Sequence, residues 1–217
     1  MPKITAIEPQ KRNPQRVNIY LDGEFAFGLT RLVAAWLKVG DDLSAEKIAA
    51  LQEADAREQA LQYALRLLSY RARTQAELRQ RMQQHGWSEA IIEGTLERLR
   101  QNGLLDDADF AHAWVENRQT FRPRGARLLR QELRRKGLDE HIIQEALDEV
   151  DEEAAAYAAA RPRAQRLRGL DSRLFRQKLI AYLTRRGFSF EIADSVARNL
   201  WEELQNENRD IPLNREV

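Results

Sequence analysis

The residues that could do chemistry here are arginines and lysines, and they come in blocks. From Arg118 to Lys136 there are eight basic residues and one acid, Glu132. From Arg161 to Lys178 there are seven basic residues and one acid, Asp171. Between the blocks, Asp139 to Glu153 holds eight acids and no lysine or arginine. Any single arginine in such a run is ordinarily a solvated helix surface. Two basic blocks at equivalent places of a repeated unit instead suggest a positive stripe facing phosphates or an acidic protein surface. The candidate contact residues are Arg122, Arg124, Arg127, Arg130, Arg134, Arg135 and Lys136, then Arg161, Arg163, Arg166 and Arg168.

Other chemistries lack the residues they need. The histidines His85, His112 and His141 stand singly, without a second ligand at metal spacing. There is no cysteine, which excludes disulfides and thiolate catalysis and suits a reducing compartment. Isolated glycines such as Gly86, Gly103, Gly125 and Gly137 make no phosphate loop. Asp106-Asp107 reads as a helix N-cap rather than an acid–base pair. Trp87, Trp114 and Phe188 could stack on bases, but their helical positions read as core. No catalytic residue, cofactor or metal is expected, and the chain does not read as an enzyme.

The elements that position the basic blocks are repeats. Gly86, Gly137 and Gly187 lie 51 and 50 residues apart. Eight positions before each stands Leu78, Leu129 or Leu179, and four before stands Met82, Leu133 or Leu183, one apolar edge of a helix. The glycine fits a left-handed helix end. A large apolar residue follows (Trp87, Leu138, Phe188), then an N-cap type (Ser88, Asp139, Ser189). The next helix carries Ile91, Ile142 or Ile192, and later Leu99, Val150 or Leu200. The apolar plug would staple onto Ile92 or Ile143, and more weakly onto Ala193. Thr74 with Glu77 forms a capping box.

A further helix precedes each pair, carrying Leu61, Ala64, Leu65 and Leu68 in the first copy and Phe110, Ala111, Trp114 and Val115 in the second. In the third it runs through Ala154–Ala160, and Pro162 should break or kink it. The unit is therefore three helices, longer than a two-helix tetratricopeptide-type repeat. Tandem repeats bury their cores between neighbours and leave a long surface.

Residues 1 to about 30 follow a period of two. Arg16 to Leu21 and Glu24 to Gly28 flank Asp22-Gly23, a hairpin turn that would pair Tyr20 with Phe25. This meander must lean on helices expected over 29–37 and 44–51, the latter capped by Ser44. The organisation is 1–53 for the meander and its helices, three-helix repeats over 54–104, 105–153 and 154–205, and a loose tail over 206–217. The fold class is mainly α: three tandem three-helix repeats in an elongated curved array, with a small N-terminal β-meander. With 43% hydrophobic and 32% charged residues, thin cores are expected rather than one thick one. No apolar run reaches a membrane span of about 20 residues, and no signal-peptide core follows Met1. A cytoplasmic monomer is expected.

Three stretches resemble the RecX family of regulatory proteins. They are Gly103 to Val115 (GLLDDADFAHAWV), Gln131 to Gly137 (QELRRKG) and Lys178 to Phe188 (KLIAYLTRRGF). Tyr20 to Gly28 (YLDGEFAFG) is similar to the leader of longer members. The resemblance implies three tandem three-helix repeats with an N-terminal β extension and no catalytic activity. It also implies binding to the RecA–single-stranded DNA filament, mainly in its helical groove, with restraint of ATP hydrolysis, strand exchange and filament growth. It carries over no ligand residues. Two alternatives stand beside it: a nucleic-acid-binding module acting alone on single- or double-stranded DNA, and an adaptor for another protein.

Overall fold

The computed structural model describes residues 1–209, with side chains through Glu207. The order is β1 (Ile4–Gln10), β2 (Asn13–Leu21), β3 (Glu24–Thr30), α1 (Arg31–Ala34), α2 (Ala45–Tyr70), α3 (Gln75–His85), α4 (Glu89–Gln101), α5 (Asp107–Phe121), α6 (Ala126–Arg135), α7 (Glu140–Asp148), α8 (Glu152–Leu167), α9 (Ser172–Arg185) and α10 (Phe190–Arg209). Two compact units divide the chain, one ending at Leu105 and the next beginning at Asp106.

The first unit begins with the expected meander, an antiparallel sheet in the order β1-β2-β3. Asp22 and Gly23 both take positive φ, 51° and 91°, as a type I′ turn requires. Tyr20 pairs with Phe25, and their rings meet edge to face at 6.0 Å. The sheet's inner side buries Ile4, Val17, Ile19, Phe27 and Leu29 with Leu43. Two expectations fail beyond it. The helix foreseen over 29–37 is only α1, because Leu29 and Thr30 still belong to β3. The helix foreseen over 44–51 does not stop there. Ser44 caps it through Lys47 N–H, and it continues as α2 to Tyr70, so the boundary drawn at 53 falls inside one helix. Nothing in 45–70 breaks it, since that span has neither glycine nor proline.

Three repeats follow, each with its own small core: the latter half of α2 with α3 and α4, then α5–α7, then α8–α10. Leu78, Leu129 and Leu179 are fully buried, as are Met82, Leu133 and Leu183. The helix ends are Schellman turns: Trp87, Leu138 and Phe188 N–H donate to Met82, Leu133 and Leu183 C=O at 3.2, 3.3 and 3.2 Å. In the last helix of each copy Ile92, Ile143 and Ala193 are fully buried, while Ile91, Ile142 and Ile192 are half-buried. The staple position faces the core, one residue past the stripe read from sequence. Leu65 is also exposed rather than core, because α2 turns Ala60, Leu61 and Ala64 inward.

Capping divides the same way. Thr74, Asp106 and Ser189 accept N–H bonds at their helix starts, whereas the Ser88 and Asp139 side chains do not. Helix α8 is not ended by Pro162. Proline removes one N–H and crowds the carbonyl four residues back, which belongs to exposed Ala158, and buried Ala156, Ala160, Ala164 and Leu167 continue on both sides. Helix α10 runs to Arg209, so 206–209 are helical rather than loose; residues 210–217 of the expected tail lie outside the described residues. Among the described residues no helix is long and apolar enough to cross a membrane.

Candidate basic interface

The basic block of the second repeat folds around its one acid. Glu132 on α6 is 12% exposed and accepts from Trp114 Nε1 and Arg118 Nε, both at 3.0 Å, on α5. Arg124 pairs with its other oxygen. The Arg118 guanidinium lies over the Trp114 ring at 4.1 Å, and Lys136 Nζ lies over it at 5.0 Å. A single carboxylate and one indole thus gather three cations into a local knot. Burial holds the Arg124 guanidinium below its ordinary range, and Arg118, Arg186 and Arg122 push it the same way.

Arg127 and the Gly125 turn join the second repeat to the third. Gly125 N–H donates to Arg186 C=O at 3.0 Å, Arg186 Nη1 donates to Pro123 C=O at 3.0 Å, and Arg127 Nη2 donates to Thr184 C=O at 2.9 Å. The last bond also sets a cation at the C-terminal end of α9, where the helix dipole is negative. The backbones touch: a Cβ on Gly125 would sit 2.4 Å from Gly187 C and O.

Arg130 and Arg134 reach across to α7. Both pair with Glu140, at 3.3 and 2.8 Å, and Arg130 also bonds Gln144. The Arg134 hydrogen bond lowers the Glu140 carboxyl below its ordinary 4.5, and the same bond raises Arg134. Arg127, Arg130 and Arg134, with Arg185, Leu128, Gln131 and Gly187, line a cleft of about 620 Å³.

The remaining candidates face solvent. Arg122 and Arg135 of the second repeat's block are exposed, and so are Arg161, Arg163 and Arg166 on α8 and Arg168 at its end. None of these six makes an ion pair among the described residues. The sequence reading missed Arg173, Lys178 and Arg185, which are exposed and equally without an ion pair. Arg173 and Lys178 were already inside the block Arg161–Lys178, whereas Arg185 lies beyond it. Arg176 of that block is instead tied to Asp194 at 2.6 Å, which holds Asp194 below its ordinary value. The structure therefore splits the eleven candidates. Arg124, Arg130 and Arg134 are paired with carboxylates, Lys136 lies over Trp114, and Arg127 bonds a backbone carbonyl while its charge stays unpaired. Arg122, Arg135, Arg161, Arg163, Arg166 and Arg168 present uncompensated charge. Among the described residues no group of three or more metal-type side chains converges.

A three-stranded leader followed by three capped three-helix repeats that expose basic side chains defines a helical-repeat protein. Comparison with known proteins gives the family. The descriptions "Regulatory protein RecX N-terminal domain" and "RecX, first three-helix domain" match residues 2–44 and 60–99. The second and third RecX three-helix domains match 106–147 and 151–196. The regulatory protein RecX of Bacillus licheniformis is 34% identical over 215 residues, covering 97% of this chain and 80% of its own. That of Mycobacterium sp. strain KMS is 40% identical over 152 residues, covering 66% and 82%. A crystal structure of regulatory protein RecX superposes with a TM-score of 0.74 at 32% identity, covering 91% of this chain and all of that one. RecX from Lactobacillus salivarius gives 0.63 at 25% identity, covering 68% and 97%. The chain belongs to the RecX family of regulatory proteins, and its role is regulatory rather than catalytic.

Proposed function

We propose that this protein binds the RecA–single-stranded DNA filament, within its helical groove, and restrains RecA ATP hydrolysis, filament extension and strand exchange. The observation that carries the reading is the full RecX domain series, in order, along the chain. Three repeats acting together reach useful affinity from weak individual contacts. Inhibition requires only that the bound repeats favour one filament arrangement over another, by their differential affinity. The contact residues are the uncompensated cations Arg122, Arg135, Arg161, Arg163, Arg166 and Arg168, joined by Arg173, Lys178 and Arg185. They meet DNA phosphate or acidic protein surface. Arg124, Arg130 and Arg134 of the second repeat are paired with carboxylates and contribute less free charge.

A second reading, DNA binding without RecA, draws support from the same unpaired cations. Salt dependence separates the two. If Arg161, Arg163, Arg166 and Arg168 each neutralise a phosphate, changing all four to Gln lowers the slope of log K against log salt by about 3 to 4. An unchanged slope assigns them to protein contacts. A sedimentation assay on RecA filaments, with and without an ATP analogue, tests the first reading: co-sedimentation that needs the filament supports it, and none refutes it.

A further inference from the structure

A pocket in the first unit belongs to none of this. It lies where the sheet meets the first repeat and holds about 270 Å³, about nine times the share of one water molecule (about 30 Å³). Arg16 and Thr30 line it from β2 and β3, Gln59, Tyr63 and Arg66 from α2, His85 from the end of α3 and Trp87 from the turn after it.

One side of the site is built on a buried carboxylate. Asp55 is 4% exposed and accepts from Arg16 Nη2 at 3.0 Å, Thr30 N–H at 2.6 Å and Gln59 Nε2 at 2.6 Å. Arg16 Nη2 also donates to Gly28 C=O at 3.0 Å. Asp55 thereby fixes Arg16 and uses up its own charge. Three polar atoms of the lining residues are buried without a protein partner among the described residues: Arg16 Nη1, Thr30 Oγ1 and Trp87 Nε1. Thr30 itself is 3% exposed. Burial without a partner is costly for each of them.

The orphans have a common chemistry. Guanidinium and indole N–H only donate, and a hydroxyl can donate. What satisfies all three is an acceptor. The Arg16 charge is already set against Asp55, so it is Arg66, the lining cation without a carboxylate partner, that makes the acceptor an anion. Flat rings stand beside the donors: His85 stacks on Trp87 at 5.5 Å and 7°, Tyr63 lies 4.5 Å from His85, and Arg66 lies over Tyr63 at 5.6 Å. Rings flanked by arginine suit a flat, π-bearing body. Gln15, Gln62 and Arg66 are exposed at its rim, where Gln62 Nε2 donates to Glu58 Oε1 at 3.1 Å.

We infer that this pocket binds an oxyanion carried on a flat ring body, the chemistry of a nucleoside monophosphate, free or as one unit of a single strand. The oxyanion takes the Arg16, Thr30 and Trp87 donors, and the ring lies against the aromatic row. This goes beyond the filament reading and does not depend on it. The indole N–H signal of Trp87, assigned by its loss in Trp87→Phe, is followed by NMR while inorganic phosphate, thymidine monophosphate or a thymidine oligonucleotide is added. The nucleotide is expected to shift that signal saturably with a Kd of about 1 mM or tighter, and phosphate more weakly, while the Trp36, Trp114 and Trp201 signals stay in place. Thr30→Val and Arg66→Gln should each weaken binding about tenfold. An oligonucleotide binding tighter than its monomer makes a strand the source; equal or weaker binding makes it the free nucleotide. A Trp87 signal unmoved by all three probes overturns the inference. So do equal affinities in both variants, or saturation by a glutamate-rich peptide but not by nucleotide.

Discussion

Changing Gly187 to alanine should cost far more than the same change at Gly86, although the two occupy the same turn of their repeats with the same φ of +94°. The left-handed conformation alone costs alanine about 1–2 kcal/mol at either site. At Gly86 nothing lies within 4 Å of the added methyl, so that is the whole cost. At Gly187 the Cβ would sit 2.5 Å from Leu128 Cβ and 2.7 Å from Leu128 N, an overlap with backbone that no side-chain rotation relieves. Overpacking of this kind adds about 1–3 kcal/mol, for a total of about 2–5 kcal/mol. Gly125→Ala tests the other side of the crossing. Its φ of −73° suits alanine, so its cost comes from the 2.4 Å overlap with Gly187 and Phe188 and from losing the Gly125 N–H···O=C Arg186 bond, worth about 0.5–1.5 kcal/mol. Because both substitutions open one crossing, the double variant should lose clearly less than the sum of the singles. Urea unfolding followed by circular dichroism gives the free energies, and hydrogen exchange assigns each loss to its unit. If Gly187→Ala costs the same as Gly86→Ala within about 0.5 kcal/mol, the repeats are not joined through this contact.

Further outcomes follow from the ion pairs. Asp55→Ala strands the Arg16 guanidinium in a buried site and should destabilise the first unit by about 3–5 kcal/mol, read by chemical unfolding. Glu132→Ala leaves Arg118, Arg124 and Lys136 crowded around Trp114. It should cost about 2–3 kcal/mol, less than a fully buried pair because its neighbours are partly exposed, and added salt should recover part of the loss. The Glu93, Glu140 and Asp194 carboxyls are lowered in the folded protein by hydrogen bonds from Arg79, Arg134 and Arg176. Their contribution is complete above the ordinary values of 4.5 for Glu and 3.8 for Asp, and is lost as pH falls through the lower folded values. Stability should therefore hold between pH 7 and pH 5 and decline below about 4.5, and Glu140→Gln should make that decline shallower.

The fold was legible wherever local chemistry decides it. Gly86, Gly137 and Gly187 end their helices as their spacing implied, because only glycine enters that turn cheaply. Asp22-Gly23 set the hairpin register for the same reason. What stayed hidden depends on partners distant in sequence. Whether residue 53 ends a helix was not readable, since Ala45–Tyr70 carries no punctuation and its continuation is settled by the sheet packed on its first half and the repeat on its second. The basic blocks looked uniform in sequence. Which arginines are spent depends on where Glu132, Glu140 and the α9 carbonyls stand in space, and Arg127 finds its carbonyl 57 residues away. Asp55 gave no signal, because its partner Arg16 lies 39 residues back across the seam between sheet and helix.

The most direct measurement is RecA ATPase on single-stranded DNA titrated with this protein and with the variant carrying Arg161, Arg163, Arg166 and Arg168 all changed to Glu. Wild type should suppress hydrolysis, and the folded variant should need at least about tenfold more protein, a loss of about 1.4 kcal/mol in binding. Equal potency of the two would remove the exposed third-repeat arginines from the mechanism, and failure of wild type to suppress ATPase would contradict the proposed function itself.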